Sequence, residues 1–322
     1  MNSESVVDRS IPFVDTHVHM WELSRLTYPW LTEPGDPLNS ALFGNYKQIR
    51  VDWGPSRLYR QLYGQQIRGL VHVEAACMPD QSLDETSWLA AIADRSGLPS
   101  ALVVFCDLTQ PNTEAILHQH LQLSTLTRGV RARPELPSST AFRTGLHIAA
   151  TLGLSFEFSA SPGTLKAGVD LARAEPDLQI VIGHTGLPVR RDSSYRTLWR
   201  REMRALSKAQ NIAVKISGLG VGDHDWTIDS MRPWVLDTIE MFGTNRCMFG
   251  TNWPVDSLYS TYLELVDAYR RIISDAGVSA EDQAALLHAN AERIYSLAPT
   301  PKMPREPANV STSEGTVGPG EG

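Results

Sequence analysis

Short runs of apolar, mostly β-branched residues alternate with longer amphipathic stretches about eight times along this chain. The runs at 11–17, 69–74, 101–106, 128–132, 154–158, 179–184, 212–217 and 246–250 read as strands. Helical periodicity occupies 83–96, 113–123, 163–174, 195–209, 231–242, 259–276 and 280–295. A strand that returns parallel to its neighbour needs a crossover of this length, so the pattern predicts a parallel sheet in an α/β fold. With about eight units, closure into a (β/α)₈ TIM barrel is favoured over an open sheet. One domain is expected over 11–298. A polar tail precedes it at 1–10, and 299–322, rich in Pro, Gly, Ser, Thr and Glu, is expected to be disordered. The 19–68 connection is too long for a simple loop, and Tyr28-Pro29-Trp30 and the stretch 34–37 suggest a structured lid over the barrel mouth.

Composition narrows the function classes. A net charge of −7 argues against nucleic acid or an anionic membrane surface as partner, since both reward basic surface. The three cysteines, Cys77, Cys106 and Cys247, contain no Cys-x-x-Cys pair, which gives neither a disulfide framework nor a cysteine zinc site and fits a reducing compartment. The first ten residues do not read as a signal peptide, and no apolar run approaches the roughly 20 residues of a membrane span. The expectation is a cytoplasmic protein acting on a small molecule, compatible with a homo-oligomer.

Successive strand residues face opposite ways. His72 and Glu74 oppose Val71 and Val73. Ser155, Glu157 and Ser159 oppose Leu154, Phe156 and Phe158. Ala213, Lys215 and Ser217 oppose Ile212, Val214 and Ile216, while Met248, Gly250 and Asn252 fall together. Barrel strands turn apolar residues outward to their helices, so the polar sets are expected inside, toward the C-terminal strand ends where barrels place their chemistry.

His17 and His19, two apart at the end of the first strand, can reach one ion or one substrate together. His118 and His120 have the same spacing in a helix, where it turns side chains about 200° apart, and both are expected at the surface. Gly183-His184-Thr185-Gly186-Leu187-Pro188 brings a third histidine to the sixth strand end. Three imidazoles, His17, His19 and His184, can hold a divalent metal, Zn²⁺ first, with a position left for water; they can also polarise a carbonyl with no metal. Arg128, Arg131 and Arg133 on the fourth strand suit an anionic group, and Arg190 and Arg191 face the same choice between ligand and surface ion pair. Trp21, Trp30, Trp226 and Trp253 fall in mouth loops and could wall a pocket. The candidate substrate-binding set is Arg128, Arg131, Arg133, His72, Glu74, Lys215, Trp30 and Trp253.

These residues carry a resemblance. Phe13-Val14-Asp15-Thr16-His17-Val18-His19-Met20-Trp21 is similar to the first-strand signature of the amidohydrolase-related family that holds sugar-lactonase-like and pyrone-dicarboxylate-lactonase-like enzymes. The likeness continues through Val73-Glu74-Ala75, Arg128-Gly129-Val130-Arg131, His184-Thr185-Gly186-Leu187-Pro188 and Lys215-Ile216-Ser217-Gly218-Leu219. It ends in Gly250-Thr251-Asn252-Trp253-Pro254-Val255-Asp256 and Asn290-Ala291-Glu292-Arg293-Ile294-Tyr295. It implies a distorted (β/α)₈ barrel, hydrolysis of a small carbonyl substrate, a lactone before others, and often a divalent metal. Two departures bear on mechanism. Asn252 stands where lactonase-type relatives commonly carry an aspartate that activates water, and an amide cannot serve as a base near neutral pH. The fourth and fifth strands offer Arg131 or Arg133 and Glu157 in place of a bridging lysine and a histidine, which argues against a binuclear site. Glu157 or His184 is then expected to take the water proton while Asn252 positions the water. Asp256 is a second candidate base or a loop anchor, and Asp15 supports the histidine pair. The alternatives are a metal-dependent non-oxidative decarboxylase and a catalytically inactive metabolite-binding barrel.

Overall fold

The computed structural model describes residues 7–33, 37–132 and 139–298. The disordered tail expected at 299–322, most of the N-terminal tail and Arg133 lie outside the described residues. Eight strands, β1 (Phe13–Val18), β2 (Ile67–Val73), β3 (Ala101–Phe105), β4 (Thr127–Arg131), β5 (Ser155–Phe158), β6 (Ile180–Ile182), β7 (Ile212–Ile216) and β8 (Cys247–Phe249), pair in parallel in chain order. β8 returns to β1 through a bridge between Val18 and Trp253, where the His19 N–H donates to the Trp253 carbonyl at 2.7 Å. The sheet is a nearly closed barrel, and each strand falls on one of the short apolar runs.

Three short helices of the long first connection, α1 (Pro29–Thr32), α2 (Pro37–Phe43) and α3 (Pro55–Gln61), precede β2. The outer layer is α4 (Ser82–Ser96), α5 (Thr113–Leu123), α6 (Thr140–Thr151), α7 (Ala167–Ala174), α8 (Ser193–Leu206), α9 (Ile228–Phe242) and α10 (Tyr262–Asp275). Local chemistry sets several of their ends. Asp192 caps α8 by accepting from Tyr195 N, and Thr261 and Glu264 cap α10 reciprocally. α5 corrects one expectation: His118 is exposed, but His120 is buried against α4, with Nδ1 2.8 Å from Thr86 Oγ1 and Nε2 3.1 Å from the Phe105 carbonyl. The 200° separation put one of the pair outside and the other under the helix.

The buried residues divide into two clusters. Leu70, Leu102, Val130, Phe156, Ile180 and Ile212 belong to the large cluster between sheet and helices. Val14, Val71, Val73, Ala101, Val103, Val181, Ala213 and Met248 form a separate one with Ala291 and Tyr295. Only the lumen lets alternate residues from six strands meet, so these side chains fill the barrel floor. The last segment, α11 (Ala280–Ala284), a π-turn over Ala285–Ala289 and α12 (Asn290–Ile294), closes the lower end, with Tyr295 entering the lumen from below.

Candidate active site

The lumen assignment reveals how β1 aims its histidines. Val14 lies in the lumen and Asp15 pairs with Leu70, yet Val18 pairs with His72, so three steps on β1 oppose two on β2. This bulge reverses the parity of the strand end: even-numbered Val14 faces in below it, odd-numbered His17 and His19 face in above it. Asp15 fixes the bulge, accepting from His17 N at 3.1 Å, Thr251 N at 2.9 Å and Tyr262 Oη at 2.9 Å. Its bonds go to backbone and to β8 and α10, and neither imidazole is among them. Gly250 lets β8 pass, because a Cβ there would lie 2.8 Å from His17 Cβ.

His184 stands in a turn where His184, Thr185, Gly186 and Leu187 all have positive φ (51°, 57°, 68° and 44°). Three of these are not glycine, and Thr is β-branched, so the conformation costs on the order of 1–3 kcal/mol per strained residue and persists only where neighbours enforce it. Trp199 Nε1 donates to the Thr185 carbonyl at 2.8 Å, and Gly218 packs so closely that a Cβ would lie 2.7 Å from His184 Nδ1.

The three rings converge, with centroids 4.9 Å apart for His17 and His19 and 4.3 Å for His17 and His184. His19 Nδ1 lies 2.8 Å from the Val73 carbonyl, which can only accept, so Nδ1 carries the proton and Nε2 the lone pair. His184 Nδ1 lies 3.1 Å from Ser217 Oγ. His17 is buried with neither ring nitrogen hydrogen-bonded. Burial holds His17 and His184 well below the usual histidine range, reinforced by His184 and Lys215 around His17 and by Arg131 and His19 around His184; burial and then Arg131 lower His19 to about 4. All three are neutral near pH 7, with lone pairs to offer.

A cavity of about 290 Å³ opens above them. His19, Asn39, His184, Arg131, Glu74, Asn252 and Ser159 supply its polar lining. Trp30, Leu42 and Phe43 of the lid segment and Leu187, Val221 and Val255 of the loops after β6, β7 and β8 supply its apolar wall. The Trp30 indole donates to the Ala75 carbonyl at 2.9 Å, which fixes lid to wall. Arg131 Nη1 lies 3.4 Å from Glu74 Oε1, so the guanidinium enters the cavity already paired.

Several expected members are elsewhere. His72 alternates with the lumen residues Val71 and Val73, so it faces outward, buried with Nε2 3.4 Å from the Met20 carbonyl and absent from the cavity wall. Arg128 sits near the start of β4, about 10 Å below Arg131 at roughly 3.3 Å per residue, and its guanidinium donates to the Thr125 and Thr127 carbonyls. Trp253 is fully buried behind β1 against Trp53 and Tyr262, so among the four tryptophans Trp30 alone lines the cavity. Arg190 pairs with Asp192, and Arg191 donates to the Pro188 and Leu219 carbonyls.

Glu157 and Lys215 do face inward, but they meet each other. Lys215 Nζ lies 2.8 Å from Glu157 Oε1, and Tyr295 Oη donates to the same oxygen. Both side chains are buried, and neither lines the cavity. Tyr295 was not among the candidates; the partner it meets is 138 positions away in sequence. Asn252, at φ 57°, lines the cavity and donates from Nδ2 to Asp256 Oδ2 at 2.7 Å. Burial pushes Asp256 up to about 7.

Glu85 underlies the wall opposite. It is buried in α4 and accepts from Ala75 N at 3.2 Å, and burial, followed by the Glu74 charge, raises it to about 8. Because the folded value exceeds the unfolded one, the native protein binds the extra proton between about pH 4.5 and 8, and stability falls as pH rises through that window. Glu85→Gln is expected to flatten this loss, so that Tm falls less from pH 5 to pH 8 than in the wild type. Equal slopes by calorimetry would contradict the assignment.

A family model described as Amidohydrolase matches residues 14–297. The chain belongs to the amidohydrolase family. This amidohydrolase is 33% identical over 299 residues to protein y4mH of Sinorhizobium fredii, covering 88% of this chain and 98% of that one. It is 25% identical over 311 residues to an L-fucono-1,5-lactonase of Burkholderia multivorans, covering 88% and 96%. An amidohydrolase from Burkholderia multivorans solved with bound zinc superposes with a TM-score of 0.76 at 22% identity, covering 89% of this chain and 100% of that one. A 5-carboxyvanillate decarboxylase from Sphingomonas paucimobilis has the same fold, with a TM-score of 0.60 at 14% identity, covering 90% and 100%. The amidohydrolase barrel and an enzyme of the hydrolase type stand as the sequence implied. Among the described residues no helix is long and apolar enough to cross a membrane.

Proposed function

We propose that this amidohydrolase opens a small lactone, a cyclic ester bearing hydroxyl or carboxylate groups, by adding water to its carbonyl. The observation that carries the reading is the convergence of three neutral imidazoles beneath one cavity with a polar edge and an apolar wall. Likeness over 88% of the chain to an L-fucono-1,5-lactonase supports the choice of ester. Among the described residues Arg131 is the one arginine or lysine lining the cavity, and it stands beside Glu74; together they can meet the polar groups of such a ring.

The donor chemistry, neutral imidazoles with lone pairs to offer, suits a divalent ion. Two ring nitrogens of buried His17 have no partner, His19 keeps its Nε2 lone pair, and a carbonyl fixes the His19 tautomer as in metal sites. The three rings are not gathered into a ready ligand group among the described residues. His17, His19 and His184 would hold the ion, Zn²⁺ by preference, and when bound it supplies polarisation of the carbonyl and of a water. The chain's other residues bind and orient. Arg131 and Glu74 take the polar groups of the ring, Trp30 and the apolar wall its hydrocarbon face, and Asn252 the attacking water. Glu157 is spent on Lys215 and Tyr295, which leaves it a weaker candidate than His184 to take the water proton. In protein without an ion, His184 faces the cavity with a neutral imidazole and is assigned the proton. The same reading keeps the protein cytoplasmic, on its cysteine usage.

Two assays test this. Turnover of lactones is expected to release one acid equivalent and no carbon dioxide; carbon dioxide from hydroxybenzoates would move the protein to the decarboxylases. Protein purified without chelator is expected to carry about one equivalent of zinc, on the three-ligand arithmetic of a mononuclear site. Metal far below one equivalent with full activity would remove the ion from the account and leave His184 as the base.

A further inference from the structure

The cavity's eighth-strand position holds an amide, and the residue behind it decides which end of that amide the substrate meets. Asn252 Nδ2 donates to Asp256 Oδ2 at 2.7 Å. Asp256 is completely buried in the short helical turn Val255–Leu258 and does not line the cavity. Its other oxygen is pressed against the β7 loop, where a Cβ on Gly220 would lie 2.7 Å from Oδ1. Asp256 is therefore wedged, with Oδ2 set to accept from the nitrogen end of Asn252. A carboxamide held by its nitrogen presents its carbonyl at the opposite end, on the side of His19 and the cavity that both residues line.

We propose that Asp256 is a positioning residue that locks the Asn252 amide with its carbonyl toward the cavity, making this position a neutral acceptor for a hydroxyl. The hydroxyl belongs either to the attacking water or to the substrate ring; only this identity rests on the lactonase reading. A carboxylate at position 252 would accept and also take a proton. The locked amide accepts without taking one, which assigns position 252 to orientation and moves proton transfer elsewhere.

The test uses the full-length protein. With a lactone that the wild type opens, Asp256→Ala is expected to lower kcat/KM by about 10- to 100-fold, as loss of a supporting hydrogen bond typically does. Asp256→Asn, whose side-chain oxygen can still accept from the amide, is expected to stay within about threefold of wild type by the same principle. If the hydroxyl is the water's, kcat falls and KM holds. If it is the ring's, KM rises, and a deoxy analogue lacking that hydroxyl is insensitive to the variant. Asp256→Ala within twofold of wild type, or Asp256→Asn as damaging as Asp256→Ala, would overturn the proposal. A second measurement needs no substrate. In ¹⁵N-asparagine-labelled wild type, with Asn252 assigned by its loss in Asn252→Ala, one side-chain amide proton is expected to be protected from exchange. Two fast-exchanging protons would overturn the proposal even if no lactone were turned over, and a protected proton in a protein that opens no lactone would leave the lock standing while the lactonase reading falls.

Discussion

His17→Leu is expected to abolish turnover and to raise the melting temperature of the chelator-treated protein. Two buried nitrogens without hydrogen-bond partners cost on the order of 1–3 kcal/mol each in desolvation, and leucine removes both while filling most of the volume. For a domain of this size each kcal/mol moves Tm by roughly 2–4 °C, so a rise of several degrees should be visible by scanning calorimetry. The same change removes the central member of the trio, and kcat/KM should fall by about 10³-fold or more, comparable with loss of a main electrostatic group in other hydrolases. A chain selected for stability alone would not keep this imidazole. Lower Tm in His17→Leu would mean that the ring is paid for by packing, and that its lone pairs are not held ready for a ligand.

Glu157→Gln is expected to have the largest effect on stability. Lys215 is buried 2.8 Å from Glu157, and removing one partner of such a pair leaves an uncompensated charge, at about 3–5 kcal/mol. Thermal unfolding should shift down by roughly 10 °C on the same scaling. Lys215→Met added to Glu157→Gln should recover part of the loss, because it removes the charge left without a partner. If Glu157 were instead the base that activates water, the single variant would lose activity with little change in Tm, and the double variant would not recover stability. The two outcomes separate a structural pair from a catalytic carboxylate.

The eight strands were legible because each is a short apolar run bounded by a long amphipathic one. Which way each strand faced was legible only in part. Phe156, Phe158 and Ile212 pack on the helices, which leaves the alternating Glu157 and Lys215 facing inward, as their polarity implied. On β2 both faces are buried, with Leu70 on the helix side. Val71 and Val73 took the lumen, and His72 was turned outward against the polarity rule. His17 and His19 point inward as expected, but through a bulge that period-2 reasoning does not contain. Arg128 shares its strand with Arg131 and misses the site because a strand end is a matter of about 10 Å along the axis, which a count of charges ignores. The pairing of Glu157 with Tyr295 and of Asn252 with Asp256 is tertiary contact, and no local pattern announces it.

That His17, His19 and His184 form one site for opening a lactone can be read from acid release on a panel of aldono-1,5-lactones and small carboxylated lactones, measured against the spontaneous rate for wild type and for His184→Gln. The wild type is expected to release one proton per lactone opened on at least one member of the panel, and His184→Gln to lose about 10²-fold or more of that rate. Wild-type rates equal to the spontaneous rate across the panel, or full activity in His184→Gln, would contradict it.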